Sequence, residues 1–187
     1  MTTLRVAARA SATRAEGPGL RYAVWVQGCS LRCPGCCNPE MFSPSGGERV
    51  EVEALIEDVA RSPVEGLTLL GGEPFEQEAA CAELAHAVRR QGRSVMVFTG
   101  FRLEELSASS PLLAACDLLV DGRFERDRPE RRRRWIGSEN QRMHFFGDRH
   151  HPEEPCFTER NQVEIRLSRG ELAVHGWPTA AGRVRGR

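Results

Sequence analysis

The residues with the clearest chemical potential form a loop in which Cys29, Cys33 and Cys36 are spaced as C-x3-C-x2-C. Cysteine thiolates are the usual ligands of iron–sulfur clusters, and a loop of this length can place three of them around one face of a cubic cluster. Pro34 and Gly35 permit the tight turns that such a loop needs. Three ligands leave one iron open, so the spacing indicates a [4Fe–4S] cluster that binds something at the metal.

The cysteine loop leaves two other kinds of site open. A zinc site or a closed structural cluster would need a fourth ligand, and Cys37 is adjacent, but neighbouring residues rarely both reach one metal centre. Cys81 and Cys116 lie on apolar faces and are predicted to be buried thiols. Together with Cys156 they lack the close spacing of a second cluster. The expected ligands are therefore the three thiols of the C-x3-C-x2-C pattern.

The composition limits the class of protein. A chain of 187 residues, 40% of them hydrophobic, can bury one core. Basic and acidic residues number 26 each, so no net charge favours nucleic acid or a membrane surface. Every basic residue is Arg, which excludes lysine-based covalent catalysis and a lysine P-loop. Seven cysteines, four of them within nine residues, do not fit a secreted disulfide framework and favour a reducing compartment.

The sequence also predicts a cytoplasmic location. No apolar run approaches the roughly 20 residues of a membrane span, and the stretch from Met1 to Gly19 lacks the apolar core of a signal peptide. No membrane partner is therefore expected. The alternative is a transit peptide, which the Arg-, Ser- and Ala-rich stretch Thr2–Arg14 superficially resembles.

The elements that must position the cysteine loop follow from hydrophobic patterning. Three short apolar stretches are predicted strands, and two amphipathic helices separate them along the chain. The strands are Tyr22–Gln27, Gly66–Leu70 and Ser94–Phe98, and the helices lie around Val52–Val59 and Ala80–Val88. This alternation predicts parallel βαβ units in an open or partial α/β barrel. The loops that contain Cys29, Gly71 and Thr99 follow the three strands and should gather at one edge of the sheet.

The pattern weakens in the second half of the chain. Leu118–Val120 is a fourth predicted strand, and His144–Pro155 is predicted to be a solvated loop, although its histidines could be metal ligands. Val163–Leu167 and Leu172–His175 could pair as a hairpin. The expected fold is thus α/β with a C-terminal loop and hairpin extension.

Seven motifs follow one another along the chain: Glu16-Gly-Pro-Gly-Leu-Arg21, Trp25-Val-Gln-Gly-Cys29, Cys33-Pro-Gly-Cys36 with Asn38-Pro39, Gly71-Gly-Glu-Pro74, Val97-Phe-Thr-Gly-Phe101, Leu119-Val-Asp-Gly-Arg-Phe124 and Gly137-Ser-Glu-Asn-Gln-Arg142. In this order they resemble the motifs of the radical S-adenosylmethionine (SAM) activating enzymes of anaerobic ribonucleotide reductase. The resemblance implies a radical SAM core over residues 1–142 with a partial (βα) barrel, a [4Fe–4S] cluster and SAM. Residues 143–187 would form an extension that packs on the core or is partly flexible.

The resemblance also implies a mechanism and a cofactor site. The open iron would hold the amino and carboxylate groups of SAM, and one electron would cleave the S–C5′ bond to give a 5′-deoxyadenosyl radical. That radical would remove a hydrogen from one glycine of a large glycyl-radical partner, with a flavodoxin or ferredoxin-type protein as electron donor. The residues that match the family's SAM site are Gly35, Cys37, Gly71, Gly72, Glu73, Pro74 and Thr99. The Gly-Gly turn is expected to let backbone carbonyls approach the SAM ammonium, and Glu73 to orient its loop or contact SAM.

The chain departs from the family pattern at Cys37 and in the continuation of the chain beyond the match, residues 143–187. Cys37 stands where the family usually has an aromatic residue or His, so stacking support beside the adenine is expected to be lost. Within the match, the run Arg131–Arg134 is expected to be a solvated face or to dock an acidic partner. Two hypotheses besides the activase remain: a radical SAM enzyme that modifies a peptide or small molecule, and a binding or electron-transfer module, which the ordered SAM-site motifs argue against.

Overall fold

The computed structural model describes residues 1–168 and 171–176. The chain forms nine strands, four α-helices and three single turns of 3-10 helix within these residues. The strands are β1 (Thr3–Thr13), β2 (Arg21–Val26), β3 (Glu48–Glu51), β4 (Gly66–Gly71), β5 (Ser94–Phe98), β6 (Leu118–Asp121), β7 (Arg142–Phe145), β8 (Val163–Ser168) and β9 (Glu171–Gly176). The α-helices are α1 (Val52–Arg61), α2 (Glu78–Arg90), α3 (Pro111–Ala114) and α4 (Pro155–Thr158), and the 3-10 turns are Pro39–Met41, Pro74–Gln77 and Leu103–Glu105.

Seven strands form one mixed sheet in the order β3-β1-β2-β4-β5-β6-β7. The neighbouring pairs β2–β4, β4–β5 and β5–β6 are parallel, which confirms the predicted βαβ units and the α/β class. The outer strands β1, β3 and β7 are antiparallel to their neighbours. Within the described residues the sheet is therefore open, with β3 and β7 as its edges.

Two edge strands were not predicted. Strand β3 consists of Glu48–Glu51, whose three charged residues give no apolar signal. Strand β7 was wrongly predicted to be a loop at His144, which in fact pairs with Leu119 of β6. The four residues of β7 do alternate polar and apolar, and Met143 and Phe145 pack on the sheet, but two apolar residues are too few to signal a strand. The predicted hairpin is confirmed as β8–β9, with Ile165 opposite Val174. Residues 169–170, between the two strands in sequence, lie outside the described residues.

The two faces of the sheet are covered in different ways. On one face, alternate strand side chains such as Val24 and Leu69 pack against the apolar sides of α1 and α2, for example Leu55 and Leu84, all with no exposed surface. Full burial of each such side chain contributes about 1.5–3 kcal/mol. The opposite face has no α-helix from the βαβ units, and strand residues such as Trp25 point to it.

The chain after β6 covers this second face. Trp135 and Ile136 pack with Met96 and Leu118 of the sheet, and Phe157 of α4 lies against the same cluster. Trp135 and Phe157 meet edge to face, with 5.6 Å between ring centroids. The carboxyl edge of the parallel strands is thus bounded by helices on one side and by the later part of the chain on the other.

Candidate functional site

The cysteine loop leaves the carboxyl end of β2 and is fixed at both ends by backbone hydrogen bonds. The Gly28 and Cys29 N–H groups donate to the Met41 and Phe42 carbonyls at 2.9 and 3.2 Å, which closes the loop on itself. Inside it, the Cys36 N–H donates to the Cys33 carbonyl at 3.1 Å. Gly35 has a φ of 76°, a conformation that side chains disfavour, which explains a glycine in this tight turn.

The three expected ligands are free, partly exposed thiols. Burial raises the pKa of Cys29 and Cys33. A hydrogen bond between the Cys36 and Cys37 side chains holds the pKa of Cys36 at about 7 and raises that of Cys37 well above its usual value. In the described part of the chain, no three His, Cys, Asp or Glu side chains stand close enough together to hold a metal ion as they are.

The other described cysteines have different environments. Cys81 and Cys116 are buried in the helix-covered core, as predicted, with 0% and 2% of their surface exposed. Burial raises the pKa of Cys81 strongly and that of Cys116 to about 12. Cys156 is partly exposed in α4, far along the chain from the cysteine loop. None of these three thiols shares the local environment of the loop cysteines.

The Gly71–Pro74 loop packs directly beneath the cysteine loop. The Gly72 N–H donates to the Val26 carbonyl and the Glu73 N–H to the Gly28 carbonyl, both at 2.8 Å. A Cβ atom at Gly72 would stand 2.2 Å from the Gly28 carbonyl oxygen, and one at Gly71 would stand 2.7 Å from the Trp25 Cα. The two glycines therefore permit a backbone contact between the loops that any larger residue would break.

Glu73 joins this loop to the one that follows β5. Its carboxylate accepts hydrogen bonds from the Phe75 N–H at 3.0 Å, the Thr99 hydroxyl at 2.8 Å and the Gly100 N–H at 2.8 Å. Burial raises the pKa of Glu73 to about 7, whereas the three donated hydrogen bonds favour its ionised form. Only 1% of the Glu73 surface is exposed, so its carboxylate is enclosed between the two loops that it joins.

Thr99 and Pro74 have structural contacts of their own. The Thr99 hydroxyl donates to Glu73 and accepts from the Phe101 N–H at 3.1 Å, so both functions of the hydroxyl are occupied. Pro74 is buried at the first position of the 3-10 turn Pro74–Gln77. Gly71, Gly72, Glu73, Pro74 and Thr99 are thus brought together at the carboxyl edge, next to the loop that carries Gly35 and Cys37.

Two contacts of the cysteine loop were missed in the sequence. The Leu31 side chain lies against Gly100, and a Cβ atom added at Gly100 would be 2.5 Å from it. The Arg126 side chain lies against Gly35, and a Cβ atom added at Gly35 would be 2.6 Å from it. The loops after β4, β5 and β6 therefore all touch the cysteine loop. No local pattern marks Leu31 or Arg126, because their partners are distant in sequence.

Comparison with known proteins identifies the family of the chain. Residues 15–144 match the family described as a 4Fe-4S single cluster domain. The anaerobic ribonucleoside-triphosphate reductase-activating protein of Vibrio cholerae is 34% identical over 141 residues, which cover 70% of this chain and 91% of that protein. The proteins of the same name from Escherichia coli K12 and bacteriophage T4 are 31% and 29% identical, over 92% and 85% of their lengths.

The matched region contains the whole site and ends in β7. It includes the three thiols of the C-x3-C-x2-C pattern and the loops after β4, β5 and β6 that contact them. No helix among the described residues is long and apolar enough to span a membrane. On the extent of these matches, the chain belongs to the 4Fe–4S single-cluster family of anaerobic ribonucleoside-triphosphate reductase-activating proteins.

Proposed function

We propose that this protein is a radical SAM enzyme of the reducing cytoplasm that activates an anaerobic ribonucleotide reductase by forming a glycyl radical on it. Cys29, Cys33 and Cys36 would hold a [4Fe–4S] cluster, and the open iron would take SAM. The sheet would act as the partial (βα) barrel of such enzymes. The observation that carries the proposal is the backbone contact between the cysteine loop and the Gly71–Pro74 loop, which joins the two motifs at one edge.

The residues present fit a cluster by their donor chemistry. Three free thiols share one short loop, and each is partly exposed. Thiolates are the ligands that iron–sulfur clusters require, and a set of three leaves one coordination position open. The buried Cys81 and Cys116 do not compete for the metal, because burial keeps both protonated.

The cofactor and the chain have separate tasks. When bound, the cluster and SAM supply one-electron chemistry, in which one electron and one substrate hydrogen atom convert SAM to methionine and 5′-deoxyadenosine. The Glu73 carboxylate keeps the loops after β4 and β5 in register with the cysteine loop. Gly35 and the Gly71–Gly72 turn offer backbone to the cofactor. The helices on one face and the Trp135–Phe157 region on the other exclude water beneath the site.

The same chemistry defines the role of the partners. A flavodoxin or ferredoxin-type protein would supply the electron, and a glycine Cα of the reductase would supply the hydrogen atom. The glycine keeps the unpaired electron, so atoms and electrons balance. The match covers about nine-tenths of the length of relatives that are named for activating the reductase. This supports the choice of partner.

The proposal is tested by incubating the reduced, iron-reconstituted protein with SAM and an anaerobic ribonucleotide reductase. We expect a glycyl-radical EPR signal on the reductase, together with release of 5′-deoxyadenosine and methionine. Release of both products without a glycyl signal on any candidate reductase would instead favour a peptide or small-molecule substrate. If neither product forms, the radical SAM assignment is wrong.

The four arginines of the run Arg131–Arg134 differ in burial and in their partners. Arg134 is 6% exposed, forms a 2.7 Å ion pair with Glu159 and stacks on Trp135 with 4.3 Å between its guanidinium carbon and the ring centroid. Arg133 pairs with Glu130 and donates to two backbone carbonyls. Arg131 and Arg132 are exposed. Docking of an acidic surface therefore falls to Arg131 and Arg132, while Arg133 and Arg134 maintain the fold.

The variant Arg131→Ser/Arg132→Ser should transfer the radical to the reductase less efficiently. Loss of two exposed charges is expected to lower the association rate roughly tenfold at low salt and to weaken its salt dependence. Cluster content and SAM cleavage without the reductase should stay at the wild-type level. The measurement is the initial rate of glycyl-radical formation at two salt concentrations. The matched control is Arg49→Ser/Arg61→Ser, which removes two exposed charges elsewhere, and equal rates in both double variants would contradict the docking role.

A further inference from the structure

The segment from His150 to Cys156 lies beyond the region shared with the family, which ends at residue 144. It carries a histidine, a glutamate and a cysteine in the spacing H-x3-E-x-C. Pro152 and Pro155 lie between them, and proline fixes the backbone φ, so few conformations are open to the segment. Its end is held on the core, because Phe157 of α4 packs in the cluster on the second face of the sheet.

The His150 imidazole is largely buried and lacks a hydrogen-bond partner. Its side chain is 14% exposed and lies against Phe157, with 6.2 Å between ring centroids. Neither ring nitrogen is accessible, and neither forms a hydrogen bond with any residue that the structure describes. A buried polar atom without a partner costs free energy. The two nitrogens therefore call for a partner that these residues do not supply as a hydrogen bond.

One carboxylate oxygen of Glu154 lies between His150 and Cys156. Glu154 Oε1 accepts from the His151 N–H at 2.6 Å, which orients the carboxylate. Glu154 Oε2 lies 3.6 Å from His150 Nδ1 and 3.9 Å from Cys156 Sγ, whose thiol donates weakly to it. Two ligand atoms of one tetrahedral zinc ion lie about 3.3–3.5 Å apart. Each distance exceeds that separation by less than about half an ångström.

The three side chains do not surround a metal ion as they are. The same is true of Cys29, Cys33 and Cys36, because no three His, Cys, Asp or Glu groups of the described chain do so. A ligand set of a metal-free chain closes when the ion binds, since a thiol can turn about a single bond. Imidazole nitrogen, carboxylate oxygen and thiolate sulfur are the three ligand types of protein zinc sites.

We propose that His150, Glu154 and Cys156 bind a Zn²⁺ ion, with one coordination position left for solvent. The ion replaces the proton of the Cys156 thiol, which passes to solvent, so the charges of thiolate and carboxylate balance the divalent cation. Binding ties His150 to α4 and so holds this part of the chain over the second face of the sheet. The site is separate from the cysteine loop and does not depend on the proposed function.

The test is zinc binding to the full chain after anaerobic reconstitution has filled the cysteine loop with iron. Samples are incubated with Zn²⁺ and desalted, and zinc and iron are counted per chain. The wild type should hold about one zinc, because Zn²⁺ binds such ligands more tightly than Fe²⁺ does. His150→Ala and Cys156→Ser should each weaken zinc at least about tenfold in competition with a chelator. His151→Ala, at the exposed neighbouring histidine, is the matched control and should bind zinc as the wild type does.

A second background separates this site from the cysteine loop. The Cys29→Ala/Cys33→Ala/Cys36→Ala protein should form no cluster and should still bind about one zinc. Co²⁺ in its place should show a thiolate-to-metal charge-transfer band that the further change Cys156→Ser removes. Loss of zinc binding in the triple variant, or equal binding by His150→Ala and the wild type, would overturn the site. Metal-free variants that unfold at the wild-type temperature show that a weaker affinity does not come from a misfolded chain.

Discussion

Replacing Cys29, Cys33 or Cys36 by Ala should abolish cluster formation, whereas the wild type should take up about four irons per chain. The three thiols form the only expected ligand set, and a cluster bound through two of them would have two exposed irons and would not survive isolation. Iron and sulfide content after anaerobic reconstitution, together with the visible absorbance of the cluster, measures the effect. We expect each variant to retain less than about a tenth of the wild-type iron.

The matched controls are Cys37→Ala and Cys156→Ala. Cys37 is adjacent to Cys36 but is exposed, and Cys156 lies in α4. Both variants should keep nearly all of the iron, because neither thiol belongs to the C-x3-C-x2-C pattern. Complete loss of iron in Cys37→Ala would contradict the ligand assignment, since it would make the fourth thiol of the loop a ligand.

The second large effect is expected for Gly72→Ala. A single Cβ atom at this position would meet the Gly28 carbonyl oxygen at 2.2 Å. The backbone fixes the positions of both atoms, so no side-chain rotation can relieve the clash. The cysteine loop and the Gly71–Pro74 loop must then separate, with loss of the 2.8 Å hydrogen bond from Glu73 to Gly28. We expect at least a tenfold loss of SAM cleavage and a clear loss of iron, measured on the same reconstituted samples.

The loss of iron expected for the Gly72→Ala protein differs from what the sequence predicts. The Gly-Gly turn suggests only a close approach of SAM, which a side chain would block while the cluster was spared. Gly92→Ala is the control: Gly92 has a φ of 80° and no neighbour within 4 Å of a Cβ atom, so its cost is about 1 kcal/mol of backbone strain away from the site. Full iron and SAM cleavage in Gly72→Ala would show that the two loops do not need their backbone contact.

Much of the site is visible in the sequence because its signals are local. The buried strands β2, β4 and β5 are short apolar runs, and each ends at a chemically distinctive loop. The convergence of Cys29, Gly71 and Thr99 at one edge follows from parallel topology. Strands β3 and β7 were missed because each has only four residues. Strand β3 is mostly charged, and the two apolar residues of β7, Met143 and Phe145, are too few to establish a period of two.

Contacts between distant segments could not be predicted. The role of Glu73 depends on Thr99 and Gly100, more than twenty residues later, and the stacking of His175 on Trp25 joins residues at opposite ends of the chain. The four arginines of Arg131–Arg134 lie in two environments. Trp135 is buried, and Arg134, which stacks on its ring, is buried with it. Sequence patterns identify which residues have chemistry to offer, and packing decides which of them remain accessible.

The account is tested most directly by the EPR spectrum of the reduced, reconstituted wild-type protein before and after SAM is added. Three thiol ligands leave one iron free for SAM, so the spectrum of the reduced cluster should change on addition and should not change with adenosine alone. The Cys29→Ala protein should give no cluster signal in either condition. A reduced four-iron cluster whose spectrum is the same with and without saturating SAM would contradict the open coordination position on which the proposed function depends.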